Sequence, residues 1–454
     1  MKELLKHHLY IIGFSLIIGF AIYLNWQLPP NLDEARAYTI ARYLTPFEIF
    51  TISKTEGHPF LWYYVLMPFA KIHLYYPYPL YALNLIFMLI AFYLFYKYAP
   101  LPTYLKYFIT LSLPFLKLYN SFARCYSLTI MLSFILFYLY KNRHTKQILY
   151  LSIILLLANT SSIGFFIASS LGIMFIYESI FHKNYKKNIK EILMIILFGL
   201  IELVLIILQF YGYNKKIPQN TPHFGSLSEN INLSYYPLNI YILIIIYIAT
   251  FFILIKKRNF APLFFLLLSS AQLTFLITTI HQGGFHHYYF FYIFLICAYW
   301  ITPNLNTKNL IPLIILSFSL IFNTNMQYKY NDRTYLSDLK NSAIKINQIF
   351  NNSPQEIIIF EDFNGNIIQP YLSQNIDLLN QTATPFGSLK GLEEFLYYLY
   401  IPIKKEDIIN KLQKNPHVLL FNTCGGNILQ HDQLVFNLKY RLNKQYCLYD
   451  IKIK

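Results

Sequence analysis

Residues 31–64 read NLDEARAYTIARYLTPFEIFTISKTEGHPFLWYY, and the alternation of polar and apolar groups in them decides the fold. An apolar run from Leu9 to Leu24 precedes them. An adjacent acid pair, Asp33 and Glu34, follows closely, and a second polar knot, Glu56-Gly57-His58-Pro59, opens a short aromatic segment. Carboxylates just beyond an apolar run sit where a bilayer ends and water begins. Acids are costly to hold at that boundary and useful for chemistry on lipid-linked substrates. Residues 27–78 therefore read as an active-site loop.

The remainder of the chain supplies the lipid-spanning part. Of 454 residues, 56% are hydrophobic and only 13% charged, against about 25% charged in an ordinary soluble domain. Apolar runs of near span length recur, the pattern of an all-α polytopic membrane protein. Lys2 and Lys6 lead the first run and no small-residue cleavage site follows it, so it reads as an uncleaved first span. The segment His58–His73, bounded by Pro59 and Pro77, reads as an amphipathic helix lying in the interface. Further spans then fall at 79–96, 107–121, 125–140, 146–159, 161–181, 190–211, 237–255, 260–280, 287–303 and 309–324.

Charge fixes the orientation. The net charge is +16, and on this layout about 15 Lys and Arg fall on one face against about eight on the other. The basic face holds Lys97 and Lys106, then Lys141, Arg143 and Lys146, then the Lys183–Lys190 group, then Lys256, Lys257 and Arg258, and Lys308. That places the N-terminus in the cytoplasm, the acidic loop outside and about eleven spans in all. Because the positive charge lies between apolar runs, it argues for orientation in a membrane and against a nucleic-acid partner.

From about Asn331 the long apolar runs stop and Asp, Asn, Gln and Lys become frequent. The expectation is a transmembrane domain over 1–328 and a small extracytoplasmic α/β domain over 329–454. Glu356–Phe360 and His417–Phe421 have strand character, Ser388–Tyr400 and Lys404–Lys414 helical spacing. Cys424 and Cys447 form a disulfide if this tail faces an oxidising compartment; Cys125 and Cys297 lie in apolar runs as small core residues.

Each candidate site residue has a chemical and a structural reading. Asp33 either caps a helix over Ala35–Tyr43 or deprotonates an acceptor, with Glu34 beside it as a cation ligand. Glu56 and His58 either make a turn or complete the acid site, Glu56 as a second metal ligand. Arg124 and Tyr126, in SFARCYSL, close the outer end of a span; Arg124 either snorkels to headgroups or grips a phosphate. His286 and Tyr288, in GGFHHYY, contact diphosphate or sugar hydroxyls or simply sit at the interface. Asn159-Thr160-Ser161-Ser162 reads as a tight polar turn. No P-loop, Rossmann glycine pattern or Ser or Cys nucleophile motif occurs, which speaks against ATP-driven transport.

The motifs DEARAYTIAR, EGHPFLWYYVL, FARCYSLTIML, LANTSSIGFF and GGFHHYYFFYIFLICAYW together resemble a bacterial subgroup of the GT-C superfamily. These are multispanning glycosyltransferases that use polyprenyl-phosphate sugars, among them protein O-mannosyltransferases and lipid A aminoarabinose transferases. The resemblance covers roughly residues 1–325. The acidic motif of the family's first outer loop is matched by Asp33-Glu34, and its Pro-containing aromatic segment by residues 56–71. The subgroup's Arg-Asn-Tyr triplet has Cys125 in place of Asn, and its Arg-His-His triplet has Phe285 in place of Arg. The resemblance implies an inverting enzyme of the bacterial inner membrane, with an outer C-terminal domain. Asp33 and Glu34 would be catalytic, with Glu56, His58, Arg124, Tyr126, His286 and Tyr288 binding substrate. A divalent cation, Mg or Mn, would sit on Glu34 and Glu56, and the partners would be a polyprenyl-phosphate-linked sugar and membrane lipid. Two other classes compete: a non-catalytic translocator, for which Glu202 and Glu178 are the acids within spans, and a scaffold acting through its outer domain.

Overall fold

The computed structural model describes residues 13–20, 22–23, 30–56, 58–72, 76–181, 189–210, 240–280, 285–321, 334–350, 357–360, 368–372, 377–378, 409–410, 412–413, 418–424 and 434–453. Three short helices follow the first apolar run: α1 (Leu32–Tyr43), α2 (Pro46–Glu56) and α3 (Leu61–Lys71). Two of the starts are capping boxes. Asn31 Oδ1 accepts from Glu34 N at 3.0 Å while Glu34 Oε2 accepts from Asn31 N at 2.7 Å. Thr45 and Glu48 repeat the arrangement at α2, with Thr45 N donating to Glu48 Oε2 at 2.8 Å. Both pairs have the three-residue spacing of the motif. At 11 or 12 residues, each helix is about 16–18 Å long, roughly half of a ~30 Å hydrocarbon core. None of the three is long enough to cross a bilayer unaided.

The remaining helices of the bundle come next. They are α4 (Tyr78–Tyr98), α5 (Thr103–Leu111) running into a π-helical turn (Pro114–Tyr119), α6 (Cys125–Leu139), α7 (Gln147–Ala158), α8 (Ser162–Phe181), α9 (Ile189–Phe210), α10 (Ile240–Lys256), α11 (Phe260–Phe275), α12 (Phe290–Ile301) and α13 (Ile311–Ile321). Among the described residues four helices are long and apolar enough to cross a membrane, in 78–98, 162–179, 189–209 and 260–279, and three shorter apolar ones reach 10–17 residues. Among the described residues, then, fewer than eleven helices have full spanning length, and the expected first span is described only at 13–20 and 22–23. The expected span 107–121 breaks at Ser112 before Pro114, and 287–303 breaks at Tyr289. Proline lacks the amide an uninterrupted α-helix requires.

Burial separates centre from rim. In α6 only Ile135 and Tyr138 escape burial, and its Phe134 packs with Phe95 and Trp300 at 5.4 and 5.3 Å. An apolar helix covered all round belongs in a core. In α9 the reverse holds: Leu193, Leu200, Val204 and Leu208 are each more than half exposed. Apolar surface on this scale is untenable in water and at rest in lipid.

The C-terminal part holds α14 (Thr334–Phe350) and a five-stranded sheet of order β2-β1-β3-β5-β4. Its strands are β1 (Ile357–Phe360), β2 (Asp377–Leu378), β3 (Val418–Thr423), β4 (Leu434–Arg441) and β5 (Tyr446–Ile453). β1 runs parallel to β2 and β3, while β5 is antiparallel to β3 and β4. Leu339, Ala343, Ile346 and Phe350 of α14 cover one face, meeting Leu419, Phe421 and Leu448. A disulfide joins Cys424 to Cys447, and Cys125 and Cys297 are free and buried. Of the expected helices, 388–400 lies outside the described residues and 404–414 is described only at 409–410 and 412–413. This unit meets the start of α1. Leu32 packs against its core, and Tyr76 links Tyr371 and Tyr38 with ring centroids 4.5 and 4.8 Å apart.

Candidate active site

The two adjacent acids of α1 have different jobs. Glu34 has no exposed surface. Beyond its bond to Asn31 N, its second oxygen, Oε1, accepts from Ala123 N at 2.6 Å. Glu34 thereby fastens α1 to the bend at 122–124, and both oxygens are engaged by backbone donors. The expected cap also shifts: Asn31, not Asp33, caps α1.

Asp33 faces the other way. Its side chain is 46% exposed, its carboxylate lies 3.8 Å from Arg124 Nη1, and the Arg124 side chain is only 6% exposed. Arg124 also donates to the Asp33 carbonyl oxygen at 2.8 Å. Burial pushes the Asp33 carboxyl up, but the charge of Arg124, aided by Arg36, His58 and His287, holds it below its ordinary 3.8. Burial works against the Arg124 charge too, and the Asp33 carboxylate outweighs it. An accessible anion thus rests on a buried cation that cannot turn away into water.

The bend carrying Arg124 is built from both sides. Asn84, fully buried in α4, donates to the carbonyls of Tyr119 and Asn120 at 3.0 and 2.7 Å. Tyr119 donates to the His286 carbonyl at 2.9 Å, which ties the π-helical turn to the segment before α12. Tyr126 stacks on Phe122, and its hydroxyl lies 3.3 Å from His287 Nε2. The His286 ring packs on Tyr126 at 4.9 Å.

The structure therefore brings together Asp33, His58, Arg124, Tyr126 and His286 of the expected set. Tyr288 is buried, and its neighbour His287 makes the contact with Tyr126. Glu56 ends α2, and its side chain lies outside the described residues. Sequence reasoning missed Arg36, His287, Asn84 and the Ala123 amide. Arg36 was findable, since three residues after Asp33 lies on the same helix face. Of the two ligands expected for a divalent cation, Glu34 is engaged elsewhere and the Glu56 side chain lies outside the described residues. Glu34 is consumed by backbone amides, the electrostatic neighbours of Asp33 are two arginines and two histidines, and no three His, Cys, Asp or Glu side chains among the described residues form a cation site.

The bundle of apolar helices, the short helices laid against it and the appended α/β unit have a counterpart among solved structures. Along nearly its whole length the chain is similar to the crystal structure of ArnT from Cupriavidus metallidurans bound to undecaprenyl phosphate. The TM-score is 0.61, over 97% of this chain and 98% of that one, at 9% sequence identity. No protein-family model matches the chain, and no curated protein does.

Proposed function

We propose that the chain is an inverting membrane glycosyltransferase, moving a sugar from a polyprenyl-phosphate donor to an acceptor hydroxyl at the outer face of a bacterial inner membrane. The observation carrying this reading is the half-exposed Asp33 carboxylate over buried Arg124, with Arg36, His58 and His287 close enough to act on it. One anion among fixed cations suits a donor whose phosphate gains negative charge as it leaves. The fold likeness to a protein solved with undecaprenyl phosphate supports the same donor class.

In the transfer step Asp33 takes the proton of the acceptor hydroxyl. The freed oxygen bonds to the anomeric carbon on the side opposite the phosphate. The bond from that carbon to the phosphate oxygen breaks, and its electron pair stays with the phosphate. Arg124 and Arg36 stabilise the developing charge, while His58, His286 and Tyr126 line the site. A positioned base contributes typically about 10²–10⁴-fold. The resting carboxyl is ionised, as a base must be, but weakly basic. A donor phosphate sharing Arg124 would relieve part of the pull that holds it low.

On this reading the acceptor is a protein, a lipid or a cell-surface glycan, the N-terminus is cytoplasmic, and 329–454 is extracytoplasmic. The disulfide supports an oxidising compartment for that part. The acids that a translocator would use are engaged elsewhere: Glu178 with Arg143 at 2.7 Å and Glu202 with Asn159 at 2.8 Å. The test compares lipid-linked sugars and surface glycans by mass spectrometry in a deletion strain carrying either the parent gene or Asp33→Asn. The parent restores one glycan. Asp33→Asn inserts normally, fails to restore it and accumulates the lipid-linked sugar. A normal glycan from Asp33→Asn refutes the assignment.

A further inference from the structure

The start of α3 has no cap of its own. Pro59 carries no amide hydrogen, and Phe60, the N-cap residue, makes no side-chain capping bond. The first two available donors, Phe60 N and Leu61 N, reach across the bundle instead. Phe60 N donates to Gln209 Oε1 at 3.3 Å, and Leu61 N to the Asn159 carbonyl at 3.1 Å. Gln209 Nε2 in turn donates to Asn159 Oδ1 at 2.8 Å. The Asn159 amide group donates to Glu202 Oε2 at 2.8 Å. Gln209 and Asn159 are almost wholly buried, at 1% and 3% exposure.

Glu202 and Gln209 are seven residues apart, two turns along α9, so they share one face. On a helix otherwise turned to lipid, that face grips the 159–161 turn. The same turn is tied to α6: Thr129 Oγ1 lies 2.9 Å from Thr160 Oγ1 and 3.0 Å from Ser161 Oγ. Thr129 stands just over one turn beyond Arg124. One polar knot therefore sets the height of α6, which opens just after Arg124, against the start of α3, which follows His58.

We propose that Gln209, with Asn159 and Glu202 behind it, is a positioning residue that holds the first turn of α3 so that His58 faces the Asp33–Arg124 pair. This rests on the proposed site for its ligand but not for its geometry. Glu202 acts here as a hydrogen-bond acceptor, and its charge is not used. A Gln at that position keeps an acceptor for Asn159; a Leu does not.

Two measurements on the full chain in lipid nanodiscs test this. The first is the rate of His58 carbethoxylation by diethyl pyrocarbonate, read by peptide mass spectrometry, with His144 at the far end of the bundle as control. Gln209→Leu and Glu202→Leu raise the His58 rate about three- to tenfold, the scale of one hydrogen bond, and Glu202→Gln leaves it at the parent value. An unchanged His58 rate in Gln209→Leu overturns the proposal whatever the ligand is. An equal rise at His144 does so too, since it reports a loosened bundle. The second is the affinity for undecaprenyl phosphate in a double-mutant cycle. Gln209→Leu weakens binding in the parent and adds nothing in a His58→Gln background. Equal loss in both backgrounds overturns the proposal. Failure of the parent to bind undecaprenyl phosphate overturns the donor assignment instead, and the labelling result still decides the positioning role.

Discussion

Replacing Glu34 by alanine separates the roles of the two neighbouring acids. Glu34 accepts from Asn31 N at 2.7 Å and Ala123 N at 2.6 Å from a fully buried position. Losing its half of the capping box removes an interaction on the scale of a cap, about 0.5–2 kcal/mol. Leaving the Ala123 amide buried without an acceptor costs about 1–3 kcal/mol. Together these reach about 1.5–5 kcal/mol before relaxation or water entry, a large fraction of the ~5–15 kcal/mol that keeps an ordinary domain folded. Asp33→Asn is different in kind. The Asp33 carbonyl still holds Arg124 at 2.8 Å, and the carboxylate it alters is half exposed. Water screens such a pair, so the loss is about 1 kcal/mol or less. Thermal unfolding of the full chain in nanodiscs, followed by intrinsic fluorescence, should show Glu34→Ala melting several degrees lower and Asp33→Asn close to the parent. In glycan complementation Asp33→Asn should be null. Glu34→Ala at parent stability with no transfer would refute the structural assignment and return Glu34 to the chemistry.

Four further outcomes follow from the geometry. Burial raises the Asp33 carboxyl and Arg124 more than offsets it, so Arg124→Gln should move the acid limb of the pH–rate profile to higher pH. In the parent, the folding contribution of Asp33 is complete above 3.8 and is lost only as pH falls through its lower folded value, so stability from this group should be flat across neutral pH. A Cβ on Gly164 would press on Thr160 Oγ1 and the Leu157 carbonyl. Gly164→Ala should therefore open the 157–161 turn, lower the melting temperature and speed His58 labelling, at a cost of about 1–3 kcal/mol. The Cys424–Cys447 bridge closes a loop of 23 residues, worth about 3 kcal/mol by loop entropy. Thiol alkylation in whole cells should find both cysteines blocked, and free thiols there would place the tail in the cytosol.

Much of this was legible because it depends on periodicity and breakers. The long apolar runs gave their helices within a few residues, as in the 79–96 run that became Tyr78–Tyr98. Strands at 357–360 and 418–423 fell where short apolar runs lay between turn residues. The interruptions were less visible. Hydropathy does not distinguish a continuous span from one that changes to a π-helical turn at Pro114, although the proline itself was a signal. The helix Thr334–Phe350 carries its apolar residues at three- and four-residue spacing and could have been read. The Asn84 clamp could not: a lone Asn in an apolar helix has no local pattern, and its partners lie 35 and 36 residues away.

The acid pair shows where sequence adjacency misleads. Successive residues of a helix diverge by about 100°, so two neighbours on α1 cannot both face one small site. Once Asn31 caps the helix, the three-residue box turns Glu34 back toward the helix start and the Ala123 amide. Asp33, one step earlier, is left pointing at Arg124 and solvent. The N-x-x-E spacing was present in the stretch that named both acids as catalytic. Asp33 and Glu34 are therefore coupled through the backbone: Glu34 fixes the bend at 122–124, that bend aims Arg124, and the Arg124 charge helps hold the Asp33 carboxyl below its ordinary value. Mutating the buried acid should thus impair transfer only as far as it displaces Arg124. A second-site change that restabilises the bend, leaving position 34 as alanine, should recover activity that no change can restore to Asp33→Asn.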